Sequence, residues 1–220
     1  MLERITRLAP VLAVLLVACN SSSTNDGSVS IAAATPGIVQ GGDTSVVWTL
    51  TGTGFAAGAG VAAESSAVTI ANVNVVSDTQ LTFELTAQNT VTASTTLMRV
   101  TNTDSSSAGY IAPVIPETVT LSASVQPILT SSCALSGCHQ TAGQSPNLSD
   151  GNSHAATVDV GSNQDLKDLI EPGSPAASYL VDKVEGNPSQ GSPMPLGAPS
   201  LSALELALIR AWVEAGALNN

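Results

Sequence analysis

The sequence predicts two domains of different class, an all-β sandwich over residues 29–112 and an all-α domain over 118–220. Three observations predict it. From Val29 to about Ile115, short apolar alternations at period two are separated by Gly, Asn and Asp, with no helical run of useful length. After Pro116 the apolar spacing lengthens to that of a helix. Between the two, Pro113 and Pro116 stand close together. Prolines so placed neither continue a sheet nor start a long helix, so 113–117 reads as a linker.

Ahead of the sandwich, Arg4 and Arg7 precede an apolar run from Leu8 to Ala18. That run is too short to span a bilayer and has the form of a signal peptide, residues 1–18. Leu16-Val17-Ala18-Cys19 resembles a bacterial lipobox. The resemblance implies that Cys19 is lipidated, becomes the first mature residue and anchors the chain in a membrane by several acyl chains. It also implies a cell-envelope location, sorted to the outer membrane where two membranes exist, because Asn20 follows Cys19. The alternative is a plain secretory signal cleaved near Ala18. Residues 19–28 are polar and read as a tether. The formal net charge is −11, which excludes the basic footprint of a nucleic-acid binder.

Within the first domain, 45–51, 68–76, 79–85 and 94–101 alternate as strands, and Gly52-Thr53-Gly54 reads as a turn. Repeated short strands with turn signals predict a sandwich of immunoglobulin-like size. Pro36, Gly41-Gly42, Gly52-Thr53-Gly54-Phe55, Ser77-Asp78-Thr79-Gln80-Leu81 and Val100-Thr101-Asn102-Thr103-Asp104 resemble the IPT/TIG immunoglobulin-like family over most of 30–110. That family's modules are spacers or adhesion elements at cell surfaces. The segment holds no His, no Cys and no paired carboxylates, and Asp78 and Asp104 sit where Asx-turns form.

In the second domain, Leu121, Val125, Ile128 and Leu129 share one helical face, with Pro127 making that helix short or late. Residues 140–162 read as a loop containing His154. Residues 163–170 read as a short helix, and Ser174-Pro175 opens another carrying Tyr179, Leu180 and Val184. A Gly- and Pro-rich loop leads to Met194-Pro195. The last helix has a capping box, Ser202 with Glu205, an apolar stripe of Leu201, Leu204, Leu208, Trp212 and Ala215, and Gly216 as its stop. The helix before Cys133 is its expected partner.

The chemistry concentrates in Cys133-Ala134-Leu135-Ser136-Gly137-Cys138-His139. Two cysteines followed at once by a histidine is the order that covalent haem attachment needs: thiols add to the vinyl groups, and the adjacent imidazole becomes an iron ligand. Four residues between the cysteines, rather than two, is a departure from the common spacing. The alternative is a small disulfide loop between Cys133 and Cys138. An iron with one histidine has an opposite position to fill, and the thioether of Met194, flanked by Pro193 and Pro195, suits it. His154 is the rival.

Taken with Pro172-Gly173-Ser174-Pro175, Ser178-Tyr179-Leu180 and Ile209-Arg210-Ala211-Trp212-Val213-Glu214-Ala215-Gly216-Ala217, the segment 118–218 is similar to class I cytochrome c. The resemblance implies one covalent haem c on Cys133 and Cys138, with His139 proximal, Met194 distal, and Tyr179, Lys183 and Arg210 (with Lys167) as donors to the propionates. It implies one-electron transfer outside the cytoplasm by an electron carrier rather than an enzyme. Acidic residues outnumber basic ones 10 to 3 across 117–220, so a redox partner, of unknown identity, presents a basic patch or docks on the apolar haem edge. Two other classes stay open. One is a non-redox surface or adhesion lipoprotein; the other is a haem c enzyme or sensor with an open axial site.

Overall fold

A computed structural model describes residues 29–220, and the signal peptide, Cys19 and the tether lie outside the described residues. The described chain divides into two compact units, 29–91 with 95–114, and 115–220 with 92–94.

The first unit is a β-sandwich of two sheets. Its strands are β1 (Ser30–Thr35), β2 (Val39–Gln40), β3 (Val46–Thr53), β4 (Gly60–Ala63), β5 (Val68–Ser77), β6 (Gln80–Ala87), β7 (Ser94–Thr101) and β8 (Ser107–Ile115). They form two four-stranded sheets, ordered β1-β3-β6-β5 and β2-β8-β7-β4. β3 and β6 run antiparallel in a register that sets Trp48 against Phe83 and Leu50 against Leu81. Period-two alternation turns these four side chains inward, where they meet Met98 and Val100 of β7 and Ala112 and Val114 of β8 in one core. The Trp48 and Phe83 rings stack with centroids 5.9 Å apart.

The four strands read from the sequence are all present. Those it did not single out, β1, β2, β4 and β8, are short or rich in Ala, Gly and Ser, which carry little strand propensity. Gly52 is not in a turn: β3 continues through it to Thr53, and Gly52 pairs with Ile31 across a bulge in β1. A Cβ at Gly52 would fall 1.9 Å from Ser30 O, so only glycine fits this close approach. The linker expected at 113–117 is also corrected. β8 runs to Ile115 with Pro113 inside it, and Ala112 through Ile115 are buried. Its neighbour β2 has two residues.

The second unit is built on short helices. A π-turn, Leu121–Val125, leads into α1 (Gln126–Ser132), followed by α2 (Ser153–Thr157), a 3-10 turn (Pro175–Ala177), α3 (Tyr179–Glu185) and α4 (Ala203–Glu214). Pro127 stands in the first turn of α1, where its missing N–H costs nothing. Leu121, Val125, Ile128 and Leu129 are all buried as their spacing predicts. α4 has the full capping box and packs against the π-turn and α3. Its buried face is Leu208 and Trp212 with Ala207, Ile209 and Val213, so the stripe is rotated from the expected one, and Ala215 is exposed.

Three expectations fail here. Residues 163–170 are not a helix. Ser162 Oγ accepts from Gln164 N and Asp165 N, and Asp165 Oδ1 accepts from Lys167 N, so side chains compete for the N–H groups a helix would use. The segment instead makes isolated bridges, Val158 with Ile170, Gly161 with Asp168 and Asp168 with Ser178. These bridges and the long irregular connections make all-α an overstatement for this unit. The helix expected from Pro175 is broken at Ser178, whose hydroxyl donates to Ser174 O at 2.9 Å. Finally, His154 lies on α2, not in a loop. Among the described residues no helix is long and apolar enough to cross a membrane.

Candidate functional site

α1 ends at Cys133, whose N–H still bonds to Leu129 O at 2.9 Å. The chain then turns back on itself. Cys138 N donates to Leu135 O at 2.9 Å, and His139 N donates to Cys133 O at 3.0 Å, closing the loop so that its two ends meet. Gly137 takes φ +79° inside it, a left-handed conformation that favours glycine. Both thiols are free, Cys133 buried and Cys138 exposed. Burial, then the neighbouring Cys138 and Glu205, push the Cys133 thiol up to about 11.

The imidazole of His139 is oriented by the segment that follows. Its Nδ1 lies 3.1 Å from Pro146 O. A carbonyl can only accept, so Nδ1 donates to it, and Nε2 is the ring nitrogen left for another partner. Two further bonds hold this segment in place, Gln144 N to Cys138 O at 2.7 Å and Leu148 N to His139 O at 2.7 Å. A histidine whose second ring nitrogen donates to a backbone carbonyl is prepared as a metal ligand. The two free thiols and this imidazole on one loop are the donor types that a covalently attached haem would use.

Gln126 supports this loop and was not singled out from the sequence. It is buried on α1, donates to Leu148 O at 3.0 Å and Thr130 Oγ1 at 3.2 Å, and accepts from Ser153 Oγ at 2.5 Å. The available signal was a polar residue set between Val125 and Ile128 of the apolar face.

The other expected site residues fall into two groups. Met194 is half-buried, and its N–H donates to Lys183 O at 2.8 Å. His154 is not free on a loop: its Nε2 donates to Ala217 O at 2.9 Å and ties α2 to the C-terminal segment. The expected propionate donors are engaged within the chain. Lys183 Nζ donates to Gln190 O and Ser192 O, Tyr179 Oη donates to Gln190 O at 2.5 Å, and Arg210 pairs with Glu185. Lys167 Nζ pairs with Asp182 at 2.7 Å. With so few cations among so many acids, each is drawn to a nearby carboxylate or to main-chain carbonyls.

Asp159, Asp168 and Glu171 were also missed; they place one carboxylate oxygen each within 4.8 Å of the others. In the sandwich, Asp104 Oδ1 accepts from Ser106 N at 2.9 Å as expected of an Asx-turn, and the bonds to Ser106 hold its carboxyl below the usual range. Asp78 contributes its main-chain carbonyl, which accepts from Phe55 N.

No protein-family model matches the chain, and no curated protein matches it in sequence. Among solved structures it is similar to the TIG domain of human nuclear factor of activated T-cells, cytoplasmic 4, at 17% identity and a TM-score of 0.35, covering 44% of this chain and 95% of that one. A γ-CGTase from alkalophilic Bacillus clarkii matches at 21% identity and 0.27, covering 40% of this chain and 12% of that one. The Yersinia pseudotuberculosis adhesin InvE matches at 26% and 0.27, covering 40% and 26%. Likenesses at these scores say nothing of activity.

Proposed function

We propose that the second unit binds one haem c and that the chain is an envelope-anchored carrier of single electrons. The observation that carries this reading is the His139 ring, held through Nδ1 by Pro146 O, on a closed loop bearing two free thiols. In it Cys133 and Cys138 would hold the haem through thioether bonds, and His139 and Met194 would ligate its iron. When bound, the haem supplies an iron that alternates between two oxidation states. The chain's part is to fix the imidazole through Pro146 and to hold Met194 on a restrained loop. The three basic side chains of 117–220 are engaged internally, so the surface offered to a redox partner is acidic and calls for a basic partner. Anchoring through Cys19 belongs to the same proposal.

The test is a pyridine haemochrome spectrum on protein matured with cytochrome c biogenesis machinery. One covalent haem per chain is expected. Met194→Ala then keeps the haem and loses the long-wavelength ferric band of thioether ligation; retention of full thioether character would instead mean an axial site not filled by Met194.

A second reading is favoured by one observation. A buried thiol with its pKa pushed up to about 11 is in the state of an inert packing cysteine. In this reading the chain is a non-redox surface lipoprotein whose sandwich is the active part. The TIG and adhesin likenesses accord with this reading but are too distant to argue for it. Absence of covalent haem after maturation selects it.

A further inference from the structure

The loop that carries Met194 is held from below by a single helical residue. α3 delivers Lys183 to the interior, 9% exposed. Its ammonium donates to two main-chain carbonyls of the loop, Gln190 O at 3.1 Å and Ser192 O at 3.0 Å. The Lys183 main-chain carbonyl accepts from Met194 N–H at 2.8 Å. Side chain and main chain of one residue therefore grip the loop at 190, 192 and 194.

Tyr179, one turn earlier on α3, completes the clamp. Its hydroxyl donates to Gln190 O at 2.5 Å, and its ring centroid lies 5.1 Å from the ammonium. Gly191 sits between the two gripped carbonyls at φ +66°, and a Cβ there would stand 2.6 Å from Lys183 Nζ. Burying an ammonium is unfavourable unless its donors are satisfied, and a helix that needed only packing would carry an apolar residue here. The other two cations of this unit keep more solvent and pair with carboxylates. The buried one is placed under Met194.

We propose that Lys183 is a positioning residue that fixes the loop presenting the Met194 thioether, the sulfur that would ligate the iron. The role of the sulfur rests on the haem reading above; the grip on the loop rests on the distances alone.

The experiment uses the full chain and Lys183→Leu, in two arms. In haem-loaded protein, Lys183→Leu is expected to keep the same haemochrome signal and to lose the ferric band of thioether ligation. In the haem-free chain, peroxide is expected to oxidise Met194 several-fold faster than in the parent, while Met98, fully buried in the sandwich, reacts at an unchanged rate. A retained band together with an unchanged Met194 rate overturns the proposal. If no haem attaches to the parent chain, the electron-carrier reading falls and the sulfur's role with it, and the oxidation arm then decides the clamp by itself. Tyr179→Phe, which keeps the ring and removes one bond to Gln190, carries the same two readouts if Lys183→Leu does not fold; no change in either overturns the proposal.

Discussion

Replacing Gln126 by leucine removes an amide from the interior while keeping a side chain of similar size. Leu148 O then loses its donor at 3.0 Å, and Ser153 Oγ loses its acceptor at 2.5 Å. Each buried polar group left without a partner costs about 1–3 kcal/mol. The added apolar burial of leucine offsets part of the sum, so the net destabilisation of the second unit comes to about 3 kcal/mol. For a domain of roughly 100 residues that is a fall of about 12 °C in Tm. Scanning calorimetry of the full chain measures it, because the two units give separate contributions. Ser153→Ala, which strips only the Gln126 carbonyl oxygen of its partner, is expected to cost about 1 kcal/mol. The Leu148 N–H, bonded to His139 O, is expected to exchange with solvent faster in Gln126→Leu. A loss of under about 1 kcal/mol with unchanged Leu148 exchange would show that Gln126 does not hold the loop beneath His139.

Cys133 makes stability depend on alkaline pH. Its folded-state pKa is raised from 9.0 to about 11 chiefly by burial, so the unfolded chain releases the proton first. The stability contribution is complete below about pH 9 and falls by about 2–3 kcal/mol as pH climbs to 11; urea unfolding across that range measures it, and Cys133→Ser removes the slope. Ser202→Ala breaks the capping box of α4 and is expected to cost about 1 kcal/mol in thermal unfolding, with Ser202→Thr restoring most of it. Trp48 Nε1 is buried without a hydrogen-bond partner. Trp48→Phe therefore relieves an unsatisfied donor while giving up ring volume, and the urea midpoint of the sandwich is expected to move by about 1 kcal/mol or less, far from the 3–5 kcal/mol of a full truncation.

The readable parts of this chain were those where local physics and tertiary demand coincide. Period-two alternation located β3, β5, β6 and β7, because each turns one face to a single core. The face of Leu121, Val125, Ile128 and Leu129 and the capping box of α4 were legible for the same reason. The order Cys133, Cys138, His139 was legible as a motif of neighbouring residues, and the fold closes it into one loop. Only the folded chain decided what those groups touch. Pro113 lies in a strand and is buried there, 163–170 is no helix because Ser162 and Asp165 bond its backbone, and Lys183 reaches loop carbonyls seven and nine residues away. The tautomer of His139 depends on Pro146 O. Sequence spacing carries periodicity and motif order, whereas the choice of partner for each donor and acceptor follows from which segments burial brings within hydrogen-bond reach.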